Sequence, residues 1–215
     1  MQTFQIRKYR RNDEGSIRRI CFDTALYGEP IAEYFNDIQL VTDALIGCNI
    51  WLEPESLFVA EAQDRVVGYL AGSIDTERFA ERCAPRLVPR LLWRFITRGH
   101  FLKSRNYALA LGIFKYSRII VREREALLND YPCSIHTNID SGYRNAGIGT
   151  ALIRKFIEYA KSKGSKGVHL STASSSVKDF FLKTGFHIAA TSVSPRIFGK
   201  QPREMWLLAM SLSHS

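Results

Sequence analysis

The chain has 215 residues, 46% of them hydrophobic, which is enough to bury one core of ordinary size. Its net charge is +9, and its longest apolar run, Tyr107 to Phe114, is too short to span a bilayer. No apolar block follows the basic N-terminal residues, so a signal peptide is not expected. These properties favour a single cytoplasmic domain over residues 1–215 and argue against a membrane-spanning protein.

The first part of the chain alternates between strand and helix patterns. Gln63-Asp64 separates two apolar runs, which is typical of a hairpin turn. We therefore expect a strand over 4–9, helices near 13–27 and 31–47, and a hairpin formed by 56–62 and 65–74.

The stretch from Thr76 to Asp130 holds most of the positive charge, with 12 Arg/Lys against 5 Asp/Glu. Arginines recur there every four residues from Arg78 to Arg98, with apolar residues at helical spacing between them. Pro85 and Pro89 argue against one continuous helix from 76 to 99 and favour a start near Pro89. We expect Gly99 to end that helix, and two more helices to follow at 100–116 and 117–128.

Four cysteines, Cys21, Cys48, Cys83 and Cys133, do not have the spacing of a metal site. Cytoplasmic proteins rarely keep disulfides, so we expect buried reduced thiols. No metal-binding site is predicted.

The segment 143–150, Tyr-Arg-Asn-Ala-Gly-Ile-Gly-Thr, is the most informative part of the sequence. It lies between an apolar run at 131–139 and an amphipathic run at 151–163, so a strand should enter the turn and a helix should leave it. Such a turn directs backbone N–H groups and the helix dipole at one point, which suits a phosphate or pyrophosphate. Gly147 and Gly149 would allow close approach, and Arg144 could donate two hydrogen bonds. The spacing fits neither a P-loop nor a dinucleotide fingerprint.

The C-terminal part predicts a strand at 168–172 and a helix that ends at Gly185. Ser174, Ser175 and Ser176 are candidate N-cap residues for this helix. Further strands are expected from Gly185 onward and over 204–212.

Arg144-x-x-Gly147-x-Gly149, placed between a strand and a helix, resembles the pyrophosphate loop of the GNAT acetyltransferases. Phe180 to Phe186, an aromatic pair followed by Gly-Phe, resembles the second hallmark of that family. Cys21 to Asp75 is also similar to the acetyltransferase-like domain attached to some O-GlcNAc hydrolases. The resemblance implies an α/β (α+β) fold, with a mixed, mostly antiparallel sheet of about seven strands flanked by helices. Residues 76–130 would be a basic helical insertion in it.

The family resemblance implies direct transfer of an acetyl group from acetyl-CoA to an amine, without a covalent enzyme intermediate. The acceptor would be a small-molecule or peptide amine, and a homodimer is compatible with the family. By the same resemblance, the strand from Ile135 to Asp140 would splay from its neighbour and offer backbone groups around Ile139 to the pantetheine arm. Ser174 stands where many relatives carry Asn beside that arm. The residues expected to bind the cofactor are Ile139, Asp140, Arg144, Asn145, Ala146, Gly147, Ile148, Gly149, Thr150 and Ser174.

Two positions depart from the family pattern. Asn145 replaces the first glycine of the common loop, which requires negative φ or the tolerance of Asn for left-handed backbone. Phe181 stands where many relatives carry a tyrosine that protonates the leaving thiolate. Phe181 has no such proton, so water or another group would serve, or the thiolate would leave unassisted.

His136 is the candidate general base, because an imidazole titrates near neutrality and its strand should pass the reaction centre. A structural role for His136 is the alternative, and Asp140 also fits a turn or cap residue. Alternation places His136, Asn138 and Asp140 on one strand face, without showing which face borders the site.

Several functional alternatives stay open on the sequence alone. The chain could be a non-catalytic module that binds or senses CoA, or a transferase for a longer acyl or lipid-like substrate. The insertion could be an amphipathic lid whose apolar faces pack on the sheet and whose arginines face water, pairing with Glu77 and Glu81. Its arginines could instead attract an anionic acceptor or a membrane surface, and nucleic acid is the least favoured partner.

Overall fold

A seven-stranded sheet forms the centre of the molecule in the computed structural model, which describes residues 3–26, 28–102, 125–194 and 201–212. The strand order is β1-β2-β3-β4-β5-β7-β6, and every neighbouring pair is antiparallel except β4 and β5. This confirms the predicted fold class. The strands are β1 Gln5–Lys8, β2 Leu57–Ala62, β3 Arg65–Ser73, β4 Cys133–Ile139, β5 Gly167–Thr172, β6 His187–Val193 and β7 Glu204–Ser211.

The predicted hairpin is present, because Gln63 and Asp64 both adopt left-handed backbone, with φ of 51° and 57°. Two successive left-handed residues match the twist of antiparallel strands. The helices are α1 Glu14–Thr24, α2 Ile38–Thr42, α3 Cys48–Leu52, α4 Thr76–Thr97, α5 Ile148–Ser162 and α6 Ser175–Lys183.

The second helical stretch begins later than predicted. Its first helix starts at Ile38 because the Asp37 side chain accepts a hydrogen bond from the Leu40 amide at 3.0 Å. A π-helical turn, Asp43–Gly47, then joins α2 to α3, and the stretch ends at Leu52.

The two faces of the sheet pack on different helices. On one face, Phe58, Leu70 and Ile135 are buried with Leu152 and Phe156 of α5. On the other face, Tyr69 and Val59 are buried with Ile17, Ile20 and Cys21 of α1. Alternate residues of each strand therefore serve two separate cores, as the period of a strand requires.

The expectation that prolines interrupt the insertion was wrong, because α4 continues through both of them. Asp75 caps its start by accepting from the Arg78 amide at 3.0 Å, and left-handed Gly99 follows its end as predicted. Pro85 and Pro89 both lie on the exposed side of the helix. The carbonyls that lose their donors there can bond water, which makes proline tolerable in this helix.

α4 does not have the orientation of the predicted lid. Arg90 and Arg94 pair with Asp43 at 2.9 and 3.1 Å, and Arg98 pairs with Asp37 at 2.8 Å. The apolar side chains of Val88, Leu92, Trp93 and Ile96 are instead more than half exposed. The reason is that α2 and its π-turn present buried carboxylates, which need cationic partners. After the 3₁₀ turn His100–Leu102, the two further predicted helices lie mostly outside the described residues.

The cysteine prediction was wrong for one pair, because Cys48 and Cys83 form a disulfide with a Cα–Cα distance of 5.6 Å. The two residues are 35 positions apart and meet only because α4 packs on α3, so sequence spacing could not reveal the bond. Cys21 and Cys133 are free and buried, as expected. Burial raises the pKa of each of these two thiols to about 11, so both stay protonated near neutral pH.

Within the described residues, none of the helices combines the length and the apolar character needed to cross a membrane. The same part of the chain does not contain a group of three or more side chains suited to hold a metal ion.

Candidate active site

The central parallel strands of the sheet separate almost as soon as they meet. β4 and β5 pair only at Cys133 with Val168 and at Ser134 with His169. On its other side, β4 stays paired with β3 from Ser134 to Ile139. A gap therefore opens in the middle of the sheet beside residues 135–139, as predicted from the family resemblance. Strand backbone that borders such a gap offers N–H and C=O groups to a ligand.

The chain leaves β4 through a short loop that leads into α5. Asp140 caps the 3₁₀ turn Ser141–Tyr143 by accepting from the Gly142 amide at 3.2 Å, so it has the predicted turn role. Asn145, which replaces the first glycine of the common family loop, adopts left-handed backbone with φ of 62°. Gly147, with φ of 81°, is the N-cap residue of α5. The first helical amides, from Ile148 to Thr150, have no acceptor inside the helix and point along its positive dipole end.

The two loop glycines have different roles. A Cβ added to Gly147 would have no atom within 4 Å, so this position borders open space. A Cβ added to Gly149 would lie 2.9 Å from Cζ of Phe180 and 3.3 Å from Cδ1 of Ile139. Gly149 therefore allows α6 to pack against the start of α5, whereas Gly147 is the glycine that leaves room for a ligand.

The Arg144 side chain is exposed and bonds to backbone carbonyls on both sides of the loop. Its Nη2 donates to the Gly28 carbonyl at 2.8 Å, and its Nε donates to the Ile139 carbonyl at 3.4 Å. The contact with Gly28 could not be predicted from sequence, because the two residues are 116 positions apart. Since a guanidinium carries five N–H donors, three remain for another acceptor.

His136 and Asn138 lie on the face that packs on α1, which answers the question that alternation left open. Nδ1 of His136 lies 3.5 Å from the Tyr69 hydroxyl, and Nδ2 of Asn138 donates to that hydroxyl at 2.9 Å. Burial, and next the neighbouring Cys21, raise the pKa of Tyr69 well above its ordinary value, so the hydroxyl keeps its proton. His136 thus lies on the α1 face of β4, whereas the loop follows the C-terminal end of that strand.

The far side of the gap is formed by the end of β5 and the start of α6. Ser174 is the N-cap residue of α6, and its Oγ lies 3.0 Å from Oγ of Ser176. Phe181 is 1% exposed, and its ring packs against Phe180 and Phe186 at centroid distances of 5.2 and 5.0 Å. Its neighbourhood is therefore apolar, and the residue itself has no proton to give.

A separate groove of about 570 Å³ lies at the β1–β2 edge, lined by residues 3–5, 61–64 and Tyr143. None of the candidate cofactor-binding residues lines it. The groove is therefore separate from the gap between β4 and β5.

A mixed sheet that opens between two parallel strands, with a glycine-containing loop before the following helix, is the arrangement that the family resemblance implies. Residues 135–186, which contain both sequence hallmarks, match the model of the acetyltransferase (GNAT) family. Over this segment the chain is similar to GNAT acetyltransferases.

Solved structures show the same fold over nearly the whole chain. The crystal structure of SsHAT is similar with a TM-score of 0.74 and 24% identity, covering 99% of this chain and 100% of that one. An acetyltransferase from Salmonella typhimurium, solved with its cofactor acetyl-CoA, has a TM-score of 0.60 and 13% identity, covering 99% and 96%. The polyamine N-acetyltransferase of Drosophila melanogaster has a TM-score of 0.60 and 11% identity, covering 97% and 100%. At these identities, the likeness concerns the fold.

Among curated proteins, the chain is similar to Protein O-GlcNAcase from Rattus norvegicus and Mus musculus, with 22% identity over 200 residues. The match covers 91% of this chain and 21% of each of those proteins, so the chain spans about a fifth of their length. The predicted resemblance to the acetyltransferase-like domain of O-GlcNAc hydrolases is thereby confirmed.

Proposed function

We propose that this protein transfers an acetyl group from acetyl-CoA to an amine acceptor by direct attack, without a covalent enzyme intermediate. The observation that carries the proposal is the gap between β4 and β5, since β4 contains His136 and leads directly into the Gly147 loop. Of the solved neighbours, one is a polyamine N-acetyltransferase, which supports an amine acceptor of small-molecule or peptide type.

The donor side would be held mainly by backbone groups. The amides at the start of α5 and the positive end of its dipole suit a pyrophosphate, and the open space at Gly147 leaves room for one. The exposed edge of β4 near Ile139 would pair with the amide groups of the pantetheine arm. The remaining residues of this proposed site are Asp140, Arg144, Asn145, Ala146, Ile148, Gly149, Thr150 and Ser174.

The acceptor side would be the face that carries His136. As general base, the imidazole would take a proton from the acceptor ammonium and leave a neutral amine. The amine nitrogen then attacks the thioester carbonyl, so that a C–N bond forms while the C–S bond breaks, and the nitrogen gives its second proton to solvent as the amide forms. The sulfur leaves as a thiolate, and because Phe181 cannot protonate it, solvent does so later. A thiol pKa of about 8.5 makes an unassisted thiolate an acceptable leaving group.

The test is release of free thiol from acetyl-CoA across a panel of amines, including polyamines, amino-terminal peptides and lysine peptides. Product masses should show one added acetyl group on the amine and none on the protein. Tight binding of CoA without acetylation of any panel member would instead favour a CoA-binding or CoA-sensing module, which Phe181 makes the second candidate. Transfer from octanoyl-CoA or palmitoyl-CoA, but not from acetyl-CoA, would favour a longer acyl substrate.

The cellular setting stays a prediction. A cytoplasmic location and a homodimer follow from the composition and the family resemblance, while the Cys48–Cys83 disulfide is more typical of oxidising surroundings. Contact of the insertion with an anionic surface also stays a proposal, and the pairing of Arg90, Arg94 and Arg98 with Asp43 and Asp37 weakens it.

A further inference from the structure

The Arg144 side chain joins the cofactor loop to the turn that connects α1 with α2. From this contact we infer that Arg144 is a positioning residue that couples binding of the acyl donor to ordering of the acceptor side of the site. The inference rests on the proposed function, because it takes the loop to bind the donor and the His136 face to border the acceptor.

The turn that Arg144 contacts is held by its own backbone. Leu26 and Glu29 exchange two hydrogen bonds, of 2.9 and 3.1 Å, and the Gly28 amide donates to the Thr24 carbonyl at 3.0 Å. The Gly28 carbonyl is therefore presented in a fixed direction. The turn follows α1 directly, and α1 packs against the His136 face of the sheet. A change in the order of the turn therefore affects the end of that helix.

The turn also belongs to the wall beside α2. Leu26 is buried with Phe22, Ile31, Phe35 and Val41, which lie on the C-terminal part of α1, the connection and α2. Ordering of the turn therefore fixes the connection between two helices on the proposed acceptor side.

Arg144 has the donors to bind both partners at once. Two of its N–H groups serve Gly28 and Ile139, and the other three can serve a phosphate oxygen without release of either carbonyl. In the free protein the side chain is exposed, so its rotamer entropy opposes the contact with Gly28. A phosphate that fixes the guanidinium removes this entropic cost in advance, and the contact with Gly28 becomes more populated.

The expected coupling is positive and reciprocal. Donor binding should lower the opening of the turn by roughly 5- to 20-fold, which lies at the low end of measured couplings between sites. An acceptor that orders the turn should raise donor affinity by the same factor.

The experiment measures amide hydrogen exchange by NMR, with and without saturating CoA, in the wild type and in R144A, R144K and R154A. Arg154 is exposed on α5 and serves as the matched control for loss of one arginine. The reporters are the Gly28 and Glu29 amides in the turn and the Ala151 amide, which bonds to the Gly147 carbonyl at 3.1 Å.

In the wild type and in R154A, CoA should slow exchange at Ala151 and, by the factor given above, at Gly28 and Glu29. In R144A and R144K at saturating CoA, Ala151 should still be protected while the turn is not, because Ala lacks the donors and Lys lacks the planar fork. Protection of Ala151 without protection of the turn in the wild type, or turn protection that survives in R144A, would overturn the inference alone. No protection at either place would overturn the proposed function together with it.

Discussion

Gly147 and Gly164 stand at opposite ends of α5 with nearly the same backbone, φ of 81° and 73°, and neither would bring an added Cβ within 4 Å of another atom. The two positions therefore share the conformational demand and the open surroundings. They differ in location, because only Gly147 lies in the loop beside the gap in the sheet.

Replacement of Gly147 by Val should weaken CoA binding by roughly two orders of magnitude, because the side chain would occupy the space left for phosphate oxygens. Left-handed backbone should also cost about 1–2 kcal/mol of the free energy of unfolding. Gly164→Val should show a similar stability loss with unchanged affinity. Calorimetric titration and denaturant unfolding of both variants measure the two effects, and equal CoA affinity in both would mean that the loop is misplaced.

His136→Ala should lower kcat/KM by roughly 10²–10⁴-fold near neutral pH and remove the acid limb of the pH–rate profile, if the imidazole is the general base. His187→Ala is the matched control, because His187 is exposed on β6, away from the gap. The measurement is the pH dependence of thiol release with a fixed amine. A profile that keeps its acid limb would return His136 to a structural role.

Asp37→Asn should destabilise the protein by about 1–3 kcal/mol at pH 7, because Asp37 caps α2 and pairs with Arg98 and His100. Burial opposes ionisation of Asp37, but the hydrogen bonds from His100, Leu40 and Arg98 outweigh it and lower its pKa. A lowered folded-state pKa gives stability that is complete above the unfolded value, near 3.9, and is lost as the pH falls through the folded value.

The difference in free energy of unfolding between the wild type and Asp37→Asn should therefore become smaller once the pH falls below about 4. Unfolding in urea at pH 7 and at pH 3.5 tests this. Asp23→Asn, at an exposed position of α1, should change little at either pH. A difference that is the same at both pH values would show that the charge of Asp37 is not what stabilises the contact.

Removal of the disulfide by Cys48→Ser with Cys83→Ser should cost about 3–4 kcal/mol, the value expected for a closed loop of this length. Reductant should lower the Tm of the wild type and leave the double variant unaffected. Cys21→Ala with Cys133→Ala should respond to reductant as the wild type does, since neither thiol is in a disulfide. Insensitivity of the wild type to reductant would show that the bond is not formed in solution.

The sequence predicted most of what is local. The hairpin at Gln63-Asp64, the loop before α5 and the end of α4 at Gly99 all follow from turn and cap chemistry within a few residues. The N-cap of α6 is Ser174, one of the three candidate serines, but its side chain does not accept a cap hydrogen bond. Hydrophobic periodicity likewise predicted nearly every strand. The family resemblance added the strand separation at Ile135, which no local rule predicts.

What could not be predicted depends on contacts between distant elements. Pro85 and Pro89 argue against a helix by local rules, yet the disulfide and three arginine pairs hold α4 on α2 and α3. Gly149 has the family spacing for a phosphate loop, but its missing side chain leaves room for the Phe180 ring, which packs against it. Arg144 has its Gly28 partner because tertiary packing brings the α1–α2 turn to the loop.

The short pairing between β4 and β5 also has a consequence for stability. Residues 5–139 build the four strands on one side of this seam and residues 167–211 build the three on the other, so each half of the sheet comes from one continuous stretch of chain. A thioester bound in the gap would contact both halves and hold them together. The free energy of unfolding should then rise with donor concentration, because the donor binds only the folded protein, and the substrate would itself stabilise the fold.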